Sequence, residues 1–375
     1  MAAEVVDLFC GCGGLSLGAH QAGLRTSVAI DVDVNLSSAF GRNFPRSTVL
    51  NADISELRPA ELKKRLSLRR PLALIGGPPC QGFSVMGRRD RRDPRNKLLR
   101  NFFEYVAYFR PSFFLMENVP GLAHPSSRPD LDAAMAVLPG RYTCLEPMLL
   151  DAADFGAATS RPRLVVVGYD SEYVDRISET DFHRAKVRSV SDVRAAIWDL
   201  PKISLDRGNE EWLKYRRLGS LHPYAEKLRA APPRGLGDVT VQEMRQRGYV
   251  SGCQQTYHSS EVVKRFSSLK PGDRDAVSKY PKLRWDKPAH VLRAGTGVDK
   301  GSFQAARPIH PDEPRVITVR EAARIQGFPD WFQFHPTKWH SHRMIGNSVS
   351  PIFAKAILKV VMDRAADMPS LQAAD

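Results

Sequence analysis

Four apolar residues, Leu72 to Ile75, run straight into the stretch GGPPCQGFS from Gly76 to Ser84, and that junction constrains the chain more than any other. A run so short and apolar suits a strand buried on both faces. Two prolines then end it, because proline has no N–H for a ladder and a fixed φ. The spacing therefore predicts a stiff loop that carries Cys80 at the strand's carboxyl end. In an open α/β sheet that edge is where ligands bind. A thiol fixed there can act as a nucleophile if its thiolate is stabilised; the plainer alternative is a half-buried structural cysteine in a turn.

Other segments repeat the pattern. Glu4 to Phe9, EVVDLF, reads as a buried strand running into Gly11-Cys12-Gly13-Gly14 and a helix from Leu15. Glycines there let a ligand approach the backbone, and the helix N-terminus favours an anionic group. The spacing is not GxGxxG, so it does not specify a dinucleotide. A second strand, TSVAIDVD, puts Asp31 twenty positions after Gly11, where an acid can accept ribose hydroxyls. A third run, STVLNAD, ends in Asp53, which can bind an adenine amino group. Glycine turn and strand-end acids together point to a nucleoside-containing cofactor. Phe113 to Met116 and Arg161 to Tyr169 are further strands, with Glu117, Asn118, Arg161 and Arg163 expected at the same sheet edge. Repeated strand–helix units predict a doubly wound, mostly parallel α/β sheet.

Beyond about Asp170 the periodicity weakens. Residues 201–300 carry 20 Lys and Arg against 11 Asp and Glu, an excess of nine within a net charge of +14. A basic, irregular second domain with scattered aromatics is expected, and nucleic acid is the first partner such charge suggests. The run RRDRRDPRNK from Arg88, which includes Arg95, can grip phosphates or lie as a solvated loop. Val316 to Phe328 has helical spacing, with Thr318 and Glu321 as a capping box. A Gly-Asn-Ser turn and an apolar helix follow. Five scattered cysteines argue for a reducing compartment and against a disulfide framework; Cys10 and Cys12 have no second pair at metal-ligand spacing, so no metal is expected. With neither a signal-peptide pattern nor an apolar run of membrane-spanning length, the expected location is cytoplasmic.

In order along the chain, DLFCGCGGLSLG, PPCQGFS, ENVPGL, RPRLVVVG, ITVREAARIQGFPD and IGNSVSP resemble the DNA (cytosine-5) methyltransferases of bacterial restriction–modification systems, from the first residues to about Ile357. The resemblance implies an S-adenosylmethionine-dependent methyltransferase fold over 1–185 plus 340–375. It also implies a smaller target-recognition domain over 186–339, including the hinge-proximal helix. It makes Cys80 the nucleophile at cytosine C6, Glu117 the acid at N3 and Arg163 the donor at O2. Asn118 would order the loop and Arg161 would support Arg163. Cofactor contacts carried over are Phe9, Gly11, Gly13, Gly14, Leu15, Asp31, Val32, Asp53, Ile54, Pro79, Asn347, Ser348 and Val349. Gln81 and Ser84 are the candidates for filling or bracing the site a flipped base leaves, and Arg95, from the basic run, is the expected phosphate contact.

The substrate implied is duplex DNA, the product S-adenosylhomocysteine, the working unit a monomer, and a separately encoded endonuclease a possible partner. Four positions depart from the family pattern. Asp31 stands for the usual Glu, Val32 for a bulkier side chain and Thr159 for Gln, and the last motif reads SVSP where a second proline or a valine is common before Pro351. Two other readings share the fold: a tRNA cytosine-5 methyltransferase and a non-catalytic DNA-binding regulator. The long basic segment suits duplex DNA better than tRNA, and a pure binder needs none of Cys80, Glu117 and Arg163.

Overall fold

The computed structural model describes residues 3–79, 96–203, 210–295 and 307–365. Cys80, Gln81, Ser84 and Arg95 lie outside the described residues.

Eight strands form the main sheet: β1 (Ala3–Leu8), β2 (Leu24–Asp31), β3 (Thr48–Asn51), β4 (Ala73–Gly76), β5 (Phe113–Asn118), β6 (Tyr142–Cys144), β7 (Met148–Asp151) and β8 (Pro162–Asp170). Their order is β3-β2-β1-β4-β5-β8-β6, with β7 also pairing β8. The first five strands pair in parallel. The chain leaves β1 toward β2 and β3, then returns to the other side of β1 with β4. That reversal opens a crevice at the carboxyl ends of β1 and β4, the place where doubly wound sheets hold ligands.

β8 runs antiparallel to β5, with Glu117 opposite Val165 and Asn118 opposite Leu164. Its amino end, not its carboxyl end, therefore lies at the ligand edge. This is why Arg163, the second residue of β8, and Arg161, just before it, come to the same edge as Glu117, which nearly closes β5. Glu117 and Asn118 are the last two residues of β5 rather than residues that follow it.

Both faces of the sheet are covered, which explains the continuous apolar runs. On one face Val5, Ile75, Leu115 and Val167 pack with α1 (Gly14–Gln21) and α7 (Pro351–Met362). On the other Val6, Leu74, Phe114 and Val166 pack with α2 (Asn96–Phe109) through Phe102, Phe103 and Val106. The period of two along each strand sorts these sets onto opposite faces.

A third core joins Phe40 and Phe44 to α3 (Val193–Ile197), α4 (Pro223–Arg229) and α5 (Val319–Gln326). The capping box expected of α5 is present, with Thr318 and Glu321 satisfying each other's backbone N–H groups. Every α5 residue is buried, Arg320 and Arg324 included. Arg324 donates to Asp330 at 2.6 Å and to Asp199 at 3.2 Å. Residues described within 186–310 otherwise form short helices and a two-stranded ladder of Leu213–Lys214 with Tyr249–Val250.

The expected Gly-Asn-Ser turn is displaced: Gly346 and Asn347 still belong to α6 (Lys338–Asn347), and the break falls at Ser348 and Ser350, before α7. By length and apolarity alone Lys338–Met362 is long enough to cross a membrane, but it is these two successive helices, mostly buried inside the protein.

Candidate cofactor pocket and catalytic edge

A cavity of about 430 Å³ opens where the switch point predicts. Its base is the β1–α1 turn, with Phe9, Gly11, Gly14 and Leu15 on the wall. Phe9 holds a positive φ of 66°, an uncommon geometry for a residue with a side chain. Gly14 allows the closest approach in the site: a Cβ there would lie 2.3 Å from the carbonyl oxygen of Val349. Gly13 behaves differently from its neighbours. It caps α1 at φ 100°, and a Cβ would meet the Phe44 ring at 2.5 Å, so it serves the turn and the core rather than the cavity wall.

Asp31 stands at the end of β2 with both oxygens engaged. Gly11 N–H donates to Oδ2 and Asp33 N–H to Oδ1, each at 2.8 Å. Burial raises its pKa, an effect these two bonds offset in part. The bonds also aim the carboxylate, leaving lone pairs for a further donor. Val32 lies on the lip, 65% exposed, and Asp53 and Ile54 line the far side. Asp53 accepts the Ser55 N–H at 2.8 Å. Asn347, Ser348 and Val349 close the pocket from the end of α6, and Pro79, the residue before Cys80 in sequence, also lines it.

The sequence reading missed several wall residues. Arg343 pairs with Asp33 at 2.7 Å, tying α6 to the β2 edge across the pocket mouth. Asp33 is partly buried, which raises its pKa, yet the Arg343 guanidinium together with the Leu36 and Asn35 N–H groups outweighs this and holds the carboxyl below its usual range. Arg343 lies one helical turn before Asn347, so helical spacing alone could have placed both on one wall. Cys10 and Cys12 also line the pocket, and Cys12 Sγ lies 2.9 Å from Ser348 Oγ. Burial pushes the Cys12 thiol up to about 12 and the Cys10 thiol upward as well.

Glu117 joins this pocket to the catalytic edge, because it lines the cavity and also pairs with Arg163, Oε1 to Nε at 2.7 Å. Both side chains are nearly buried. Arg163 spends one further N–H on the Pro162 carbonyl at 2.7 Å. Asn118 donates from Nδ2 to the carbonyl of Pro78 at 3.1 Å and accepts Val119 N–H at 2.9 Å, so the end of β5 grips the start of the cysteine loop. Arg161 does not join the pair; its guanidinium reaches the carbonyls of Leu292 and Gly346. Thr159, in place of the expected Gln, donates to the carbonyl of Ala289 at 3.2 Å.

A parallel sheet with an antiparallel strand inserted at its edge, and a nucleoside-sized pocket at the switch point, define the methyltransferase fold. Residues 3–363 match the family model for C-5 cytosine-specific DNA methylases, and the chain belongs to that family. It is 36% identical to the type II methyltransferase M.XorII of Xanthomonas oryzae over 94% of this chain and 82% of that one. Identity to the type II methyltransferase M.DdeI of Desulfomicrobium norvegicum is 32%, over 94% and 87%. A prophage-encoded E. coli structure assigned as a DNA modification methyltransferase superposes with a TM-score of 0.85 at 37% identity, covering 97% of this chain and 99% of that one. The protein is a DNA (cytosine-5-)-methyltransferase.

Proposed function

We propose that the protein methylates C5 of a cytosine flipped out of a specific duplex sequence, through a covalent bond between Cys80 and C6, with S-adenosylmethionine as donor. The observation that carries this reading is the shared wall. Glu117 faces a nucleoside-sized cavity and at the same time pairs with Arg163, while Pro79 lines that cavity one residue from Cys80.

The residues present fit the cofactor. A volume of about 430 Å³ is in the range of small-molecule sites. Asp31 is oriented to accept ribose hydroxyls, and Asp53 with Ile54 would meet the adenine that Phe9 and Val32 flank. The first turn of α1 has no side-chain cap, which leaves backbone N–H groups for the donor's carboxylate. S-adenosylmethionine, when bound, supplies a methyl group activated on a sulfonium. Everything else falls to the chain.

Cytosine C5 is a poor nucleophile, so a thiolate must first add at C6. Burial pushes up the thiol pKa values of Cys10, Cys12, Cys144 and Cys253, which disfavours their thiolates, and the family resemblance gives the work to Cys80. As C6 is attacked, charge moves toward N3 and O2. Glu117 meets N3 with a proton or hydrogen bond, and Arg163 donates to O2. Asn118 keeps the loop in place through Pro78. After C5 is methylated it gives up its proton to solvent, and Cys80 departs. None of this is possible inside a base stack, so the cytosine must be extruded. Gln81 and Ser84 brace the gap, Arg95 grips phosphate, and residues 186–339 read the sequence, with α5 on the hinge side. A monomer with a separately encoded endonuclease completes the reading.

Labelled S-adenosylmethionine and unmethylated plasmid test it. Wild type should place label in 5-methylcytosine, and Cys80→Ala should lose transfer while retaining DNA binding. Label in N4-methylcytosine, or undiminished transfer by Cys80→Ala, would overturn the mechanism. Label in tRNA instead of DNA would move the substrate.

A further inference from the structure

Arg161 lies two residues from Arg163, yet its side chain turns away from the catalytic pair. It is 2% exposed, and among the described residues it forms no ion pair. Nη1 donates to the carbonyl of Leu292 at 3.1 Å and Nη2 to that of Gly346 at 2.8 Å. Nε is buried without a hydrogen-bond partner. A buried guanidinium normally answers its charge with a carboxylate. This one answers it with two main-chain carbonyls from segments far apart in sequence.

Those segments lead to different places. Leu292 belongs to a strap, residues 285–294, that has no regular secondary structure. Its Trp285 and Lys287 carbonyls accept from Arg194 and Val193 at the start of α3. Its Ala289 is bonded both ways, donating to Ala158 O and accepting from Ser160 N–H, each at 2.9 Å. Ala294 then passes against Gly346, where a Cβ would lie 2.5 Å from the Ala294 nitrogen. Gly346 in turn precedes Asn347, a wall of the cofactor pocket. Strap, β8 and the end of α6 thus meet at one charge, and none of the three can shift without stranding a buried cation.

We propose that Arg161 is a positioning residue that couples DNA engaged by the target-reading region to the cofactor pocket. The strap is part of that region, Arg161 clamps it to the strand bearing Arg163, and Gly346 passes its position to Asn347. This inference rests on the functional reading above, which gives residues 186–339 to DNA and the cavity to the cofactor. Coupling of this kind is reciprocal: whatever factor DNA contributes to cofactor-product affinity, the product contributes to DNA affinity.

The test measures the affinity of S-adenosylhomocysteine by calorimetry, with and without unmethylated plasmid DNA, in the full-length protein. In wild type, DNA should tighten binding on the order of tenfold. In Arg161→Met that ratio should fall toward one, and Arg161→Lys, which keeps the charge but replaces the planar fork spanning the two carbonyls with a single ammonium, should fall between. Gly346→Ala pushes the strap off α6 without altering the guanidinium and should reduce the ratio likewise. General destabilisation would weaken binding with and without DNA together and leave the ratio unchanged, so a ratio preserved in Arg161→Met and Gly346→Ala overturns the proposal. A wild-type ratio of one overturns it too, while leaving the pocket assignment intact. Failure of wild type to bind S-adenosylhomocysteine at all would instead remove the pocket assignment beneath it.

Discussion

Asp7 sits in β1 against α1, where Ser16 Oγ donates to its Oδ2 at 2.5 Å and its buried Oδ1 has no partner. Burial raises its pKa to about 7 from the ordinary value of 3.8, against the opposing hydrogen bond from Ser16. Between about pH 4 and pH 7 the folded protein therefore holds a proton that the unfolded chain has released. Stability must fall as pH rises through that window, by up to a few kcal/mol. Asp7→Asn keeps the shape and removes the titration. Its melting temperature relative to wild type should rise between pH 5 and pH 8; a difference that is the same at both pH values would contradict the assignment. At this scale much of the site was legible. Phe9, Asp31, Asp53 and Glu117 stood at strand ends in the sequence, and strand ends on a parallel sheet share an edge. The Asp33–Arg343 pair and the partners of Arg161 were not legible, because each joins segments whose proximity only the tertiary fold creates.

Among the elements, α5 is the one whose amphipathic pattern is least like its environment. It carries three charged side chains, Arg320, Glu321 and Arg324, and all are buried. Arg324 is held by Asp199 and Asp330, each under 5% exposed. Removing one partner from such a network strands the others, at a typical cost of 3–5 kcal/mol. Arg324→Leu should thus lower unfolding free energy in denaturant by about that much. Arg128→Ala, which breaks exposed pairs with Asp132 and Glu146, should change it by less than about 1 kcal/mol. Similar losses from the two substitutions would mean the α5 network is not the buttress its burial implies. The helix itself was legible from Thr318 and Glu321, but a helical pattern with charged residues reads as a surface helix, and only Asp199 and Asp330, from elsewhere in the chain, account for its burial. Strand direction was likewise hidden. The run from Leu164 to Val167 is apolar in either sense, so the sequence could not say that β8 runs against β5.

The whole molecule carries a net charge of +14, concentrated in the region assigned to target reading. Each phosphate that Lys or Arg neutralises releases counterion, so log affinity for DNA should fall linearly with log salt with a slope of about −0.9 per contact. Titration between 50 and 200 mM salt should lose roughly a thousandfold if six or more phosphates are held. A flat profile would remove the phosphate role from the basic segments. Fold class, the sheet edge at which the pocket opens and charge asymmetry were all legible at this scale. The recognition sequence was not, because it depends on which side chains of an irregular region meet base edges, and spacing does not place them. The central claim is chemical, that Cys80 bonds to cytosine C6 beside the Glu117–Arg163 pair. It is tested most directly by copying plasmid DNA with 5-fluorodeoxycytidine in place of deoxycytidine, so that every target carries fluorine at C5. Fluorine cannot leave as the proton does, so the adduct should persist. With S-adenosylmethionine present, the account predicts a denaturation-resistant protein–DNA complex whose cross-linked peptide contains Cys80. A stable complex joined through another residue, or none at an enzyme concentration that fully methylates ordinary plasmid, would contradict it.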